Sequence, residues 1–163
     1  MPQSPIQQPA NGQWKDGEFF FPMRVYYEDT DIGGMTYHAR YVSFFERVRS
    51  ESIRGTNLDV HALMGRDKDM GGPIVYVVRN LNITYHRQST VDDIIIGYSR
   101  VTKVRAAAIE VAQRIENAAG ELITEATLLV AAIDPDTGRP KRWPDDLKAT
   151  WQRWHDDYQA AQL

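Results

Sequence analysis

Tyr41-Val42-Ser43-Phe44-Phe45-Glu46-Arg47-Val48-Arg49-Ser50-Glu51-Ser52-Ile53-Arg54-Gly55 is the stretch that decides the fold. Tyr41, Phe44, Phe45, Val48 and Ser52 recur at i, i+3, i+4, i+7 and i+11, the spacing of one helix face. Glu46, Arg47, Ser50 and Arg54 fall on the other side, and Gly55 supplies a stop. Asn57 to Met64 reads as a short second helix and Gly65 to Pro73 as a glycine-rich, charged loop. Everything downstream turns to β. Ile74 to His86 is β-branched, with Val75, Val77, Leu81, Ile83 and Tyr85 on one face by alternation. Asp93 to Arg105 follows, then Ala106 to Asn117, in which Ile109, Val111 and Ile115 alternate with Glu110, Arg114 and Glu116. Asn117-Ala118-Ala119-Gly120 turns the chain into Glu121 to Ile133, and Asp134-Pro135-Asp136-Thr137-Gly138 ends that strand. A strand of about a dozen residues is about 40 Å long, at about 3.3 Å per residue, which is long for a small domain. One long helix followed by such strands predicts an α+β domain: a central helix wrapped by a curved antiparallel sheet of about five strands. A single helix covers only part of that sheet, so a second subunit is expected to cover or extend the rest.

Upstream, Phe19 to Tyr27 is aromatic and β-branched and predicts the first strand. Met1 to Glu18 carries Pro2, Pro5 and Pro9 among glutamines and predicts a mobile tail. The domain is expected to span residues 19–143, and residues 144–163 to form a C-terminal amphipathic helix. In that helix Leu147, Trp151, Trp154 and Tyr158 recur at i, i+4, i+7 and i+11. That face either packs on its own domain or makes an oligomer contact, where Trp and Tyr are enriched.

The chain has 163 residues, a length that suits one domain. It contains no cysteine, which excludes disulfides, thiolate nucleophiles and Cys-ligated zinc. A net charge of −3 and a pI near 5.8 argue against nucleic acid as a partner. No apolar segment follows Met1, and the longest apolar run, Leu128 to Ile133, is far short of the about 20 residues that span a bilayer. A cytoplasmic protein is therefore expected.

The richest polar cluster is Tyr27-Glu28-Asp29-Thr30-Asp31-Ile32-Gly33-Gly34-Met35-Thr36-Tyr37-His38, which joins the first strand to the helix. Its plainest reading is structural: Asp29, Thr30 or Asp31 caps the helix and Gly33-Gly34 makes a tight turn. A calcium loop fails, because Arg40 stands where the bidentate Glu belongs and Gly33 offers no ligand. His38, His61, His86 and His155 lack paired spacing, so no metal site is expected. Gly97-Tyr98-Ser99-Arg100-Val101 lacks the second glycine of a serine-hydrolase elbow, and Gly65 to Gly72 has no Walker ending.

Tyr27-Glu28-Asp29-Thr30-Asp31-x-Gly33-Gly34-x-x-Tyr37-His38-Ala39-x-Tyr41 resembles the opening motif of hotdog-fold acyl-CoA thioesterases of the 4-hydroxybenzoyl-CoA thioesterase class. It is most similar to the Tol-Pal-associated, YbgC-type branch. The resemblance continues through Phe44-Phe45-Glu46-Arg47, Val77-Val78-Arg79 with Tyr85, Asp92-Asp93 and Asp134-Pro135, covering roughly Met23 to Arg142. It implies a hotdog fold paired into dimers, or further into tetramers, acting on an acyl-CoA substrate without a cofactor. The family's catalytic aspartate matches Asp31, with a site tyrosine at Tyr27 and a site histidine at His38. The backbone N–H that polarises the thioester carbonyl in the wider class matches His38.

A helix-start N–H is a ready partner for an oxyanion. Asp31 would then attack the carbonyl or act as general base on water. His38 would position water, orient Asp31 or protonate the leaving thiolate. Tyr27 would orient the carboxylate or water; otherwise it is a strand residue on the sheet surface. Gly34 and Met35 are candidate substrate contacts, Met35 as a shaper of the acyl pocket. Ile32 and Met35-Thr36 depart from the family pattern, and His86-Arg87-Gln88-Ser89-Thr90 lacks the proline and alanine common there, which puts its turn geometry in question. Arg66, Lys68 and Arg87 are candidates for a basic rim that would meet the phosphates of coenzyme A, or else are solvated surface charges. The competing class is a non-enzymatic acyl- or partner-binding module of the cell-envelope machinery, docked through the Trp151/Trp154 helix. A hydratase on the same fold would bring a differently placed Asp/Glu–His pair.

Overall fold

The computed structural model describes residues 12–54 and 74–163. In chain order its elements are β1 (Gln13–Lys15), β2 (Glu18–Arg24), a 3-10 turn (Tyr27–Asp29), α1 (Arg40–Arg54), β3 (Val75–Tyr85), β4 (Ile94–Val104), β5 (Ala108–Asn117), β6 (Leu122–Ile133) and α2 (Asp145–Ala161). The strands form one six-stranded antiparallel sheet in the order β1-β2-β4-β5-β6-β3. This is the expected α+β architecture, with β1 added to the strands foreseen.

The apolar stripe of α1 is the one read from the sequence: Tyr41, Phe44, Phe45, Val48 and Ser52 are its buried residues. They meet Phe19, Met23 and Val25 from the β2 arm, with Ile95, Ile115 and Ile123 from the sheet, in the first core cluster. The helix can sit this close because the residue beneath Val48 is Gly97, which presents no side chain.

Three strand irregularities curve the sheet, as extra residues bend and twist a strand. Register shifts fall between Val78 and Asn80 in β3, between Val101 and Lys103 in β4, and opposite Ile115/Glu116 in β6. The first corrects the alternation expected for β3. Leu81 and Ile83 face the core, but the bulge at Arg79 reverses the phase. Tyr76 and Val78, paired with Ala132 and Val130, then share that face in place of Val75 and Val77.

Residues 13–18, expected to belong to the tail, form β1, the turn after it and the first residue of β2. Asp16 (φ 51°) and Gly17 (φ 72°) make a two-residue hairpin turn with both residues left-handed, and β1 pairs back on β2. Trp14 anchors this arm, stacking on Trp154 at 4.0 Å and donating its indole N–H to Ser52 O at 3.1 Å. The first strand ends at Arg24, so Tyr27 lies on the 3-10 turn and not on the sheet.

Leu147, Trp151 and Trp154 of α2 are buried in a second cluster with Val101, Ile109, Val111, Leu128 and Trp143. The C-terminal helix therefore packs on its own domain. It lies against β4, where His155 Nδ1 donates to Val101 O at 3.2 Å and Arg100 sits 4.4 Å over the Tyr158 ring. That contact satisfies a carbonyl on a stretch of β4 beyond its pairing with β2, which would otherwise be an open edge. The helix expected at Asn57 to Met64 and the loop holding Arg66 and Lys68 lie outside the described residues. Among the described residues no helix is long and apolar enough to cross a membrane.

Candidate active site

The loop from Tyr26 to Ala39 is built on a buried carboxylate. Asp29 is 1% exposed; its Oδ2 accepts the Tyr26 N–H at 2.9 Å, and its Oδ1 lies 3.5 Å from Arg40 Nε. Arg40, the first residue of α1, also donates to Glu28 O at 2.8 Å. The 3-10 turn is thereby tied to the start of the helix. Neither Asp29 nor Asp31 caps α1: the Asp29 carboxylate accepts from Tyr26 N and pairs with the Arg40 side chain, and the Asp31 carboxylate accepts from Gly33 N.

Asp31 stands in a tight reversal. Its N–H donates to Met35 O at 2.9 Å, its carbonyl accepts from Gly34 N at 2.9 Å, and its Oδ1 accepts from Gly33 N at 2.8 Å. Gly34 carries a φ of 74°, the left-handed conformation that favours glycine. Thr30 bridges Thr36 across the reversal, and Tyr37 N donates to Asp29 O at 2.8 Å. The Asp31 side chain is exposed, with one oxygen anchored and the other without a partner among the described residues.

His38 follows directly. Its side chain is exposed, with its ring 4.5 Å from Tyr37 and edge-on to Tyr85 at 6.4 Å and 88°. Its carbonyl accepts the Tyr85 hydroxyl at 3.1 Å. Burial pushes the Tyr85 phenol above its ordinary pKa, and the neighbouring Tyr41 adds to this. The His38 N–H meets no acceptor among the described residues and stands in the turn that opens α1, where Arg40 N already bonds Tyr37 O at 2.8 Å.

Tyr27, Asp31, Gly34, Met35 and His38 thus share one loop that is closed on itself. Tyr27, Asp31, Gly34 and His38 are exposed, while Met35 is half-buried and bridges Thr90. Arg87 lies on the crossing segment between β3 and β4, paired with Glu121 at 3.3 Å; the Asn117 hydrogen bond, and then the Arg87 guanidinium, hold the Glu121 carboxyl below the usual carboxylate range. Among the described residues no group of three metal-ligating side chains comes together. Sequence reasoning passed over Ser89. This buried residue accepts the Thr36 N–H at its carbonyl (2.8 Å), while its hydroxyl meets those of Thr36 (2.7 Å) and Tyr41 (2.8 Å). Its one mark in the sequence is its place in a segment that departs from the family pattern.

The loop thus carries an exposed carboxylate and an N–H without an acceptor among the described residues, the two kinds of group that attack on a carbonyl and its polarisation require. Residues 33–124 match the Thioesterase superfamily. The chain is 36% identical over 135 residues to the acyl-CoA thioester hydrolase YbgC of Escherichia coli O6:H1, covering 83% of this chain and 96% of that one. It is 37% identical over 136 residues to the acyl-CoA thioesterase YbgC of Haemophilus influenzae, with the same coverage of 83% and 96%. Among solved structures, a probable thioesterase from Bartonella henselae superposes with a TM-score of 0.70 at 33% identity, covering 77% of this chain and 98% of that one. Fold, loop and sequence likeness thus converge, and the chain belongs to the thioesterase superfamily.

Proposed function

We propose that this chain hydrolyses acyl-CoA thioesters to a free acid and coenzyme A, with Asp31 acting on the thioester carbonyl. The observation that carries the reading is the pairing, on one loop, of an exposed Asp31 carboxylate anchored by Gly33 N–H with a His38 N–H that has no acceptor among the described residues. The thioester oxygen would lie on the His38 N–H, which stabilises the negative charge of the tetrahedral intermediate. Asp31 either adds to the carbonyl, giving a mixed anhydride that water then hydrolyses, or takes a proton from water as water adds. In both routes the carbon–sulfur bond breaks and the thiolate leaves with a proton, for which the exposed His38 imidazole is the donor at hand. Tyr27, 84% exposed on the preceding turn, orients the water or the carboxylate. Gly34 and Met35 border the acyl group, and Arg87, with Arg66 and Lys68, meets the phosphates.

Tyr26, Tyr27, Ile32 and Tyr37 all expose large apolar surface around this loop. That surface suits a homodimer in which the second copy covers the site, and such a cover would favour the reaction, because a carbonyl is polarised best where water is excluded. The reaction belongs in the cytoplasm, with acyl-CoA. A non-enzymatic module docked through the C-terminal helix is disfavoured: Trp151 and Trp154 are buried in this chain's own core.

The test is turnover of short, long and aromatic acyl-CoAs, followed by free-thiol release. Asp31→Asn should abolish turnover without lowering Tm, and full activity in that variant would sink the assignment. Hydroxylamine trapping during turnover separates the two routes, since only the anhydride leaves a hydroxamate on Asp31.

A further inference from the structure

His38 lies on a short strap between two fixed points, the Thr30–Thr36 bridge and the first turn of α1. An oxyanion donor must be aimed before charge develops, and an error of about 1 Å costs about 10²-fold in rate. The loop's own hydrogen bonds reach Thr36 and Tyr37 but not the His38 peptide. Two groups from outside the loop complete the grip. Ser89, 2% exposed, takes the Thr36 N–H on its carbonyl at 2.8 Å, and its hydroxyl links those of Thr36 and Tyr41, so the strap is tied to α1 and to the crossing segment together. Tyr85, at the end of β3, donates its hydroxyl to His38 O at 3.1 Å. Its ring is braced at 5.8 Å by Tyr41, the residue that also holds Ser89. Strand pairing of Tyr85 with Thr124, and the 2.8 Å bond from Thr124 Oγ1 to Thr84 O, fix the strand end that carries it.

We propose that Tyr85 and Ser89 are positioning residues for the thioesterase site: they hold the two ends of the Thr36–His38 strap and thereby set the direction of the His38 N–H. This rests on the function proposed above. The two grips differ in kind. Ser89 is buried, so its loss orphans the Thr36 and Tyr41 hydroxyls and lowers stability as well as rate. Tyr85 is 44% exposed, so its hydroxyl has water as an alternative partner and its bond contributes little to stability. Tyr85→Phe therefore isolates positioning from folding.

In the full-length chain, Tyr85→Phe should lower kcat about tenfold on the best acyl-CoA of the panel, with KM within about twofold and Tm within about 2 °C of wild type. The His38 carbonyl carbon resonance should move upfield, because it loses a hydrogen bond. Ser89→Ala, assayed well below its lowered Tm, should keep a kcat deficit of similar size. A Tyr85→Phe kcat within twofold of wild type, or an unmoved His38 carbonyl resonance, overturns the role of Tyr85. Full kcat in folded Ser89→Ala confines that residue to structure and overturns its half of the proposal. Absence of turnover in the wild type would refute the proposed function by itself, and the carbon resonance would still decide whether Tyr85 holds His38.

Discussion

Val48 on α1 and Gly97 on β4 meet directly: a Cβ placed on Gly97 would lie 2.3 Å from Val48 Cγ2 and 3.0 Å from Met23 Cε. Val48 is fully buried and β-branched, so its rotamer in a helix is nearly fixed and it has no way to yield. Gly97→Ala should therefore destabilise the fold by about 1–3 kcal/mol through overpacking, read from urea unfolding. Val48→Ala alone leaves a cavity. Combined with Gly97→Ala it should cost less than the sum, and strict additivity would show that the two positions do not touch.

Two aspartates of one motif should part company on substitution. Asp29→Ala removes the acceptor of Tyr26 N and the partner of Arg40 from a buried position, and should cost about 2–4 kcal/mol. Asp31→Asn should leave Tm nearly unchanged and cut turnover at least about 100-fold. Thermal melts and thiol-release assays on both variants check the contrast; equal effects on stability would mean that the two carboxylates are not distinguished by burial.

Tyr76 titrates far from its ordinary range. Burial, with the charge of Asp146 in the first turn of α2 adding to it, pushes its phenol from 10.0 up to about 12. The folded value lies above the unfolded one, so the contribution is full below pH 10 and is lost as pH rises through about 12. Discounted for the partial exposure of Tyr76, that loss is about 2 kcal/mol. Tyr76→Phe should flatten the alkaline fall in unfolding free energy relative to wild type. An unchanged slope would place Tyr76 on the solvent side of the sheet, and with it the phase of β3.

The N-terminal hairpin and the C-terminal helix should stand or fall together. Trp154 is 6% exposed and stacks on Trp14 at 4.0 Å and 27°. Trp154→Ala should cost about 3–5 kcal/mol and weaken the near-ultraviolet circular dichroism of the indoles. Trp14→Ala should loosen the same contact, so the double variant should cost less than the two singles combined.

Much of this was legible along the chain. The α1 stripe, the four long strands and the turn-forming Asp31 loop are local patterns, carried by periods of 3.6 and 2 and by Gly33-Gly34. Asp16-Gly17 between Trp14 and Phe19 was an equally legible hairpin signal, overshadowed by the proline- and glutamine-rich residues before it. The candidate site was legible as a motif, whereas the residues that grip it were not. Ser89 and Tyr85 stand far from His38 in sequence, and nothing local marks a hydroxyl that meets its partner across the fold.

The sequence by itself determined that α1 and α2 are helices and that β3 to β6 are strands, which face of α1 is apolar and which loop carries the acidic motif, because backbone preference and side-chain periodicity act over a few residues. The tertiary structure alone decided that Asp29 is buried and Asp31 exposed, that a bulge at Arg79 turns Tyr76 inward, and that the Trp-rich helix closes on its own sheet. Those outcomes depend on burial and on contacts between residues distant in the chain, and neither exists until the sheet has closed around α1.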